Sequence, residues 1–165
     1  MRGDRPGQGD HRARPGGHAR QRASGRGARP AGPVSGDPGV TQTVLVVDDD
    51  ELVAQAAAIY LGDAGFATRT VSSGQAALLE LAEASVDVVL MDIRMPGIDG
   101  VEALRRLRKA GHAMPVVMMT HDNRPEIVRD VMATGGNGYI LKPFEAADLV
   151  ARVRKALDAA KLAPR

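Results

Sequence analysis

Three consecutive aspartates, Asp48, Asp49 and Asp50, close the aliphatic run of residues 44–47. Carboxylates crowded at the end of an apolar segment repel one another, and each is costly to take out of water. Asp92 closes a second apolar run, Thr120 a third and Lys142 a fourth. The carboxylates form a hard oxygen donor set with no Cys or His among them, which suits Mg²⁺. A divalent cation would also remove the repulsion that makes the cluster costly. Lys142 and Thr120 add a fixed cation and a hydroxyl donor, the groups a phosphoryl oxygen needs. The remaining requirement is a nucleophile, and a carboxylate can serve by forming an acyl phosphate. Asp92 is the candidate because it stands alone at the end of its run, between the acidic group and the Lys and Thr.

Such residues meet only if the chain between them folds in a particular way. Apolar runs of strand length alternate with helical periods from Thr43 onward. The strands read as "TVLVVD" (43–48), "FATRTV" (66–71), "VDVVLMD" (86–92), "PVVMMT" (115–120) and "GYILK" (138–142). Helical stretches span 51–64, 74–84, 99–110, 124–134 and 145–160. Gly65, Gly111 and Gly135 sit where helices should stop, and Ser72 or Ser73 can cap the second one. Five strands alternating with five helices predict an α/β domain with a parallel sheet covered on both faces. The second strand, with Thr68, Arg69 and Thr70, suits an edge. Ligands of open parallel sheets bind at the carboxyl ends of the strands, which is where the Asp, Thr and Lys residues fall.

Composition divides the chain in two. The 165 residues carry a net charge of +2 and no Cys, so there is neither a disulfide framework nor a thiolate metal site. Residues 1–42 hold eight Arg against three Asp, a balance of +5, which leaves −3 on residues 43–165. The basic character therefore belongs to the tail, and it is no argument that the folded part binds nucleic acid. Beyond the initiator, Val34 and Val40 are the only aliphatics larger than Ala in residues 1–42. A segment of that composition cannot bury enough apolar surface to offset its chain entropy, so it is expected to be disordered. It reads first as a solvated tail or an over-extended gene start, with translation beginning near Val40. A basic arm for RNA, DNA or an acidic partner comes second. No apolar run is long enough to span a bilayer and no signal peptide is visible, so a cytoplasmic protein without membrane contact is expected.

The motifs "VLVVDDDE", "VVLMDIRMPGIDG", "PVVMMTHD" and "GYILKPF", in this order and spacing, resemble the receiver domain of two-component response regulators. The resemblance covers residues 43–162. It implies a flavodoxin-like (βα)5 doubly wound parallel sheet with strand order 2-1-3-4-5. It also implies that Asp92 is the phosphoacceptor and that Mg²⁺ is held by Asp48, Asp49, Asp92 and the backbone carbonyl of Arg94. Asp49 would be the more direct ligand, with Asp48 acting partly through water. Thr120 and Tyr139 match the switch hydroxyl and aromatic, Lys142 matches the lysine that pairs with the phosphoryl group, and the Lys142–Pro143 bond matches one that is usually cis. Asp50 is then the odd member of the trio, read as the N-cap of the first helix. The implied donor is a histidine kinase or histidine phosphotransfer protein. The implied output surface, helix 4, strand 5 and helix 5, would bind a downstream partner. The sequence ends shortly after the fifth helix, from which a single-domain regulator without its own DNA-binding domain is expected.

Some residues depart from the family pattern or stand beside it. His121 follows the switch Thr where the family usually has a very small residue, and its imidazole is expected to slow turnover of a phosphorylated state. The other reading is an exposed loop His pointing away. Arg94 and Asp122 lie two residues past Asp92 and Thr120 and could pair across the site as modulators of access. Gly100 and Pro96 are assigned to the loop after Asp92 and His112 to a loop after the third helix. Met91, Met118 and Met119 read as core filler. Leu149, Val153, Ala156 and Leu157 take core spacing on the fifth helix, leaving Arg152, Arg154, Lys155 and Lys161 on a solvated face. Two rival readings stand beside the switch. One is a phosphate-handling enzyme of the haloacid-dehalogenase type, using Asp48 and Asp50. The other is a phosphorylation-independent binding module of receiver type.

Overall fold

The computed structural model describes residues 40–163. The reading of residues 1–42 as an unfolded tail therefore lies, save for its last three positions, outside the described residues. The elements run β1 (Thr43–Val47), α1 (Glu51–Asp63), β2 (Ala67–Val71), α2 (Gly74–Glu83), β3 (Val88–Asp92), α3 (Gly100–Lys109), β4 (Val116–Thr120), α4 (Pro125–Thr134), β5 (Gly138–Leu141) and α5 (Ala146–Leu162). All strand pairs are parallel and the sheet order is β2-β1-β3-β4-β5, the flavodoxin-like order expected.

Strand burial explains the residue types. Every residue of β3 and β4 is buried, and so are Val44–Val47 of β1, because helices cover both faces. On one face Val44, Val46, Leu90, Val117 and Met119 pack against α1 and α5, through Ala57, Leu61, Leu149 and Val153. On the other, Leu45, Val47, Val89, Met91 and Met118 meet Ala77, Leu81, Leu104, Leu107 and Val131 of α2, α3 and α4. Each fully buried aliphatic side chain contributes roughly 1.5–3 kcal/mol. Alternation along each strand thus feeds two core layers, and Met91, Met118 and Met119 lie in them as expected. Arg69 and Thr70 of β2 stay exposed on the edge strand.

Local chemistry starts and stops the helices. The Asp50 carboxylate caps α1 by accepting the N–H groups of Leu52 (3.0 Å) and Val53 (3.4 Å). Ser73, of the two serines considered, caps α2 through the Ala76 N–H. Asp99 caps α3 through the Glu102 N–H at 2.8 Å. Gly100, placed by the sequence both in the loop after Asp92 and inside the helical stretch 99–110, opens α3, so the loop assignment is the one corrected. α4 has no side-chain cap and begins with Pro125 at its first turn, where a missing N–H costs nothing. It stops at Gly135, whose φ of 105° is open to glycine and strained for other residues. β3 begins at Val88, two residues later than the apolar run; just before it, Asp87 accepts the Thr43 N–H on its carboxylate at 2.7 Å and donates its own N–H to the Thr43 carbonyl at 3.0 Å. Among the described residues no helix is long and apolar enough to cross a membrane.

Candidate functional site

Strand register brings the polar residues to one rim. Val47 pairs with Met91, Asp92 with Met119, and Thr120 with Leu141. The residues that follow, Asp48 and Lys142, therefore emerge beside Asp92 and Thr120. The ladder continues past β5, since the Lys142 N–H donates to the Thr120 carbonyl at 2.8 Å. The Lys142–Pro143 bond is cis, as the resemblance implies. A pocket of about 250 Å³ opens there, lined by Asp48, Asp49, Asp92, Arg94, Thr120 and Lys142, with Asp50, Ile93 and His121 completing the wall.

Lys142 is the electrostatic centre. Its Nζ donates to Asp48 Oδ2 at 2.6 Å and lies 3.1 Å from Asp92 Oδ1. The three side chains are almost wholly withdrawn from water, at 5% exposure for Lys142, 0% for Asp48 and 8% for Asp92. The second Asp48 oxygen accepts the Asp50 N–H at 2.9 Å, so the β1–α1 turn also holds this carboxylate. Asp49 is exposed at the pocket mouth. Burial pushes the Asp92 pKa above the ordinary carboxylate value; the Lys142 hydrogen bond and charge pull the other way, while Asp48 and Asp49 add to the rise. For Lys142, burial opposes the charged form, but the hydrogen bonds and charges of Asp48 and Asp92 outweigh it and raise the pKa.

Asp48, Asp49 and Asp92 each offer a carboxylate oxygen, and these oxygens lie within 4.8 Å of one another. Three carboxylates against one ammonium leave a local charge of about −2, with no nitrogen or sulfur donor among the three acidic side chains. A small divalent cation fits that deficit, and Mg²⁺ fits the donor chemistry.

The backbone around Asp92 leaves no slack. The Gly100 N–H donates to the Ile93 carbonyl at 2.7 Å. A Cβ on Gly100 would stand 2.2 Å from the Asp92 carbonyl oxygen and 2.9 Å from Ile93 Cα. The start of α3 thus rests directly on the residue that carries the candidate nucleophile, which sets where Asp92 and the Arg94 backbone can lie.

The residues placed around the core of the site differ from one another. Thr120 is buried, and its hydroxyl accepts the Asp122 N–H at 2.9 Å and donates to the Asp122 carbonyl at 3.1 Å. His121 is exposed while also lining the pocket, which joins parts of both readings made of it. Arg94 lines the pocket but makes no ion pair among the described residues. The Arg94–Asp122 pair considered from sequence does not form: Asp122 binds Arg124 instead, at 2.6 Å from Nη2. A single intervening residue, Asn123, favours that short loop closure over an ion pair between separate loops. Arg124 was not singled out in the sequence; an Asp-x-Arg just before a helix-opening Pro is the signal that could have found it. Tyr139 is half-buried on β5, with the Arg152 guanidinium 5.8 Å from its ring centroid. Arg152 is thus engaged with an aromatic face as well as solvated. Asp50 lies in the pocket wall, and its Oδ1 accepts two amides at the start of α1, the helix-capping role the sequence assigned to it instead of the part of a second catalytic Asp.

Residues 44–154 match the family model described as response regulator receiver domain. The DNA-binding response regulator MtrA of Mycobacterium tuberculosis is 40% identical over 116 residues, covering 70% of this chain and 50% of that protein. An uncharacterized transcriptional regulatory protein of Bacillus subtilis, YkoG, is 37% identical over 115 residues, covering 69% of this chain and 50% of its own length. The chain thus spans about half the length of the curated relatives it matches. Among solved structures, the chemotaxis response regulator CheY4 of Vibrio cholerae superposes with a TM-score of 0.69 at 30% identity, over 72% of this chain and 100% of that one.

Proposed function

Because the chain belongs to the response regulator receiver domain family of two-component signalling, we propose that it is a phosphorylation-controlled switch whose acceptor is Asp92. The observation that carries this reading is the convergence of Asp48, Asp49 and Asp92 around one buried lysine, Lys142. An Asp92 oxygen attacks the phosphorus of a phosphohistidine on a histidine kinase or phosphotransfer protein. The new O–P bond forms as the P–N bond breaks, and the imidazole leaves with the bonding pair. Asp92 must be ionised to attack, and its raised pKa opposes that. Lys142 favours ionisation from one side. Mg²⁺, held by Asp48, Asp49, Asp92 and the Arg94 carbonyl, would supply the remaining positive charge to the carboxylate and to the phosphoryl oxygens. Once Asp92 carries the phosphoryl group, Lys142 neutralises one oxygen and Thr120 turns its hydroxyl to another.

The switch then reaches the surface through Thr120 and Tyr139, which share the β4–β5 edge of the sheet. Met132 on α4 and Leu141 on β5 are large apolar residues left 50% and 38% exposed there, and they supply a docking surface for a downstream protein. Arg94 and His121 act on access to the pocket. Incubation with acetyl phosphate and MgCl2, followed by intact mass, tests the acceptor. One phosphoryl group is expected on the wild type and none on Asp92→Asn or with EDTA. Phosphate incorporation that survives Asp92→Asn would sink the assignment.

A further inference from the structure

The Asp122–Arg124 pair sits where it can control Thr120. Thr120 uses its hydroxyl both as acceptor and as donor on one residue, through the Asp122 N–H (2.9 Å) and the Asp122 carbonyl (3.1 Å). The Asp122 backbone can hold the hydroxyl only while the 120–122 turn keeps its shape. That shape is fixed from the far side of the same residue. Asp122 Oδ1 accepts the Arg124 N–H at 3.0 Å and Nε at 3.0 Å. Asp122 Oδ2 takes Nε at 2.8 Å and Nη2 at 2.6 Å. This is a forked, charge-assisted arrangement with geometric specificity. Arg124 is also the N-cap residue of α4, so the same bonds fix the backbone at the entry to that helix. The Asp122 carboxyl is held below the ordinary carboxylate range by the Arg124 hydrogen bonds, with the charge of Arg94 a smaller contribution. The pair stays ionised throughout the neutral range.

We infer that Asp122 and Arg124 form a catch that parks the Thr120 hydroxyl on the loop, so that a phosphoryl group on Asp92 must compete with the Asp122 backbone for it. Arg124 is a positioning residue in this scheme: it acts through Asp122 and touches none of the reacting groups. The inference rests on the acceptor reading of Asp92 for its consequence, but the catch itself is a property of the resting protein. Its size follows from exposure. The Arg124 side chain is 64% exposed and that of Asp122 23%, so water and salt screen the pair. Releasing it is expected to change populations by roughly two- to five-fold, not by orders of magnitude. An exposed arginine side chain can be replaced without threatening the core.

Two readouts on the full chain test it. The first is amide hydrogen exchange at Asp122, read by NMR without phosphodonor. The second is the phosphorylated fraction at subsaturating acetyl phosphate with MgCl2. Arg124→Gln is expected to raise both by roughly three-fold, and Arg124→Lys, which keeps the charge but loses the fork, by less. Raising salt from about 0.05 M to about 0.5 M should loosen the wild type toward Arg124→Gln and leave the variant unchanged. Wild-type exchange rates in Arg124→Gln, or an equal response of both proteins to salt, would overturn the catch. Faster exchange with an unchanged phosphorylated fraction would overturn the competition. If the wild type takes no phosphate at all, the acceptor reading fails, and the exchange data alone still decide whether the catch exists.

Discussion

Lys142 and Arg108 are cations that the fold takes partly out of water at opposite ends of the same sheet, and they are treated in opposite ways. Lys142 follows β5 at the carboxyl edge and meets two carboxylates, which raise its pKa against the effect of burial. Arg108 lies in the last turn of α3, at the amino edge, and meets only neutral acceptors. It donates to the Gly135 carbonyl from Nε (3.1 Å) and Nη2 (2.9 Å), to the His112 carbonyl (2.8 Å) and to Asn137 Oδ1 (3.0 Å). With no counter-charge bonded to it, burial lowers its pKa. Asn137 in turn accepts the Val116 N–H at 2.9 Å, so one guanidinium ties α3, the end of α4 and the start of β4 together. At the amino edge the Arg108 guanidinium is satisfied by the acceptors around it. The carboxyl edge is left with surplus negative charge. A scaffold end and a working end are told apart by whether the local charges close among themselves.

The largest effect is expected where that closure is broken. Arg108→Ala removes four hydrogen bonds and leaves the Gly135 and His112 carbonyls and the Asn137 amide short of donors. Partly exposed neighbours let water replace some of them, so a loss of about 2–3 kcal/mol is expected in urea unfolding. The loss should be the same with and without Mg²⁺, because the clasp is at the far end of the strands. A loss that Mg²⁺ reverses would mean the two ends are coupled.

At the working end, completing the charge should stabilise. Mg²⁺ that binds only the folded pocket adds about 1.4 kcal/mol when its free concentration is ten times its dissociation constant. Thermal unfolding of the wild type should therefore shift upward with MgCl2, and that of Asp49→Ala should not. A shift of equal size in Asp49→Ala would place the ion elsewhere. Removing a charge should do in part what adding the cation does. Asp92→Asn is expected to gain about 1 kcal/mol in EDTA at neutral pH, since Asn keeps the shape without the buried charge. The sign follows from the raised folded pKa of Asp92. Its ionised form carries a penalty above that pKa, and the penalty vanishes once pH falls below the unfolded value. The advantage of Asp92→Asn over wild type should thus shrink as the solution is acidified, and a gain that grows toward low pH would contradict it.

The same contrast explains what could be read before the structure. Asp48, Asp92, Thr120 and Lys142 each end an apolar run, and parallel strands deliver run ends to one edge, so their meeting was legible. β1, β3 and β4 were legible because burial on both faces demands unbroken aliphatics. The Arg108 clasp was not, since two of its acceptors are backbone carbonyls, which leave no residue type to recognise. Gly100 was given to a loop as well as to the helical stretch 99–110 for a related reason. A Gly reads as a breaker, whereas here the constraint is contact: no Cβ fits between α3 and the Asp92 carbonyl. The Arg94–Asp122 pairing failed because equal spacing after two strands says nothing about a nearer competitor, Arg124.

The smallest effect separates the two jobs inside the aspartate trio. Asp48 and Asp49 face the cluster with Asp92, while Asp50 turns Oδ1 to the Leu52 and Val53 amides. Asn at an N-cap accepts the same amide bonds and ranks with Asp there. Asp50→Asn should therefore change stability by no more than about 0.5 kcal/mol, the residue of a lost charge near the α1 N-terminus. Asp50→Ala, which removes the cap, should cost about 1 kcal/mol. Because Asp48 Oδ1 is held by the Asp50 backbone N–H and not by its side chain, both variants keep the group that orients Asp48. The Mg²⁺-dependent shift in unfolding temperature should survive both substitutions. If Asp50→Asn abolished that shift while leaving the unfolding temperature in EDTA unchanged, Asp50 would belong with the metal-facing carboxylates, and the division of the trio between a helix start and a cation site would be wrong.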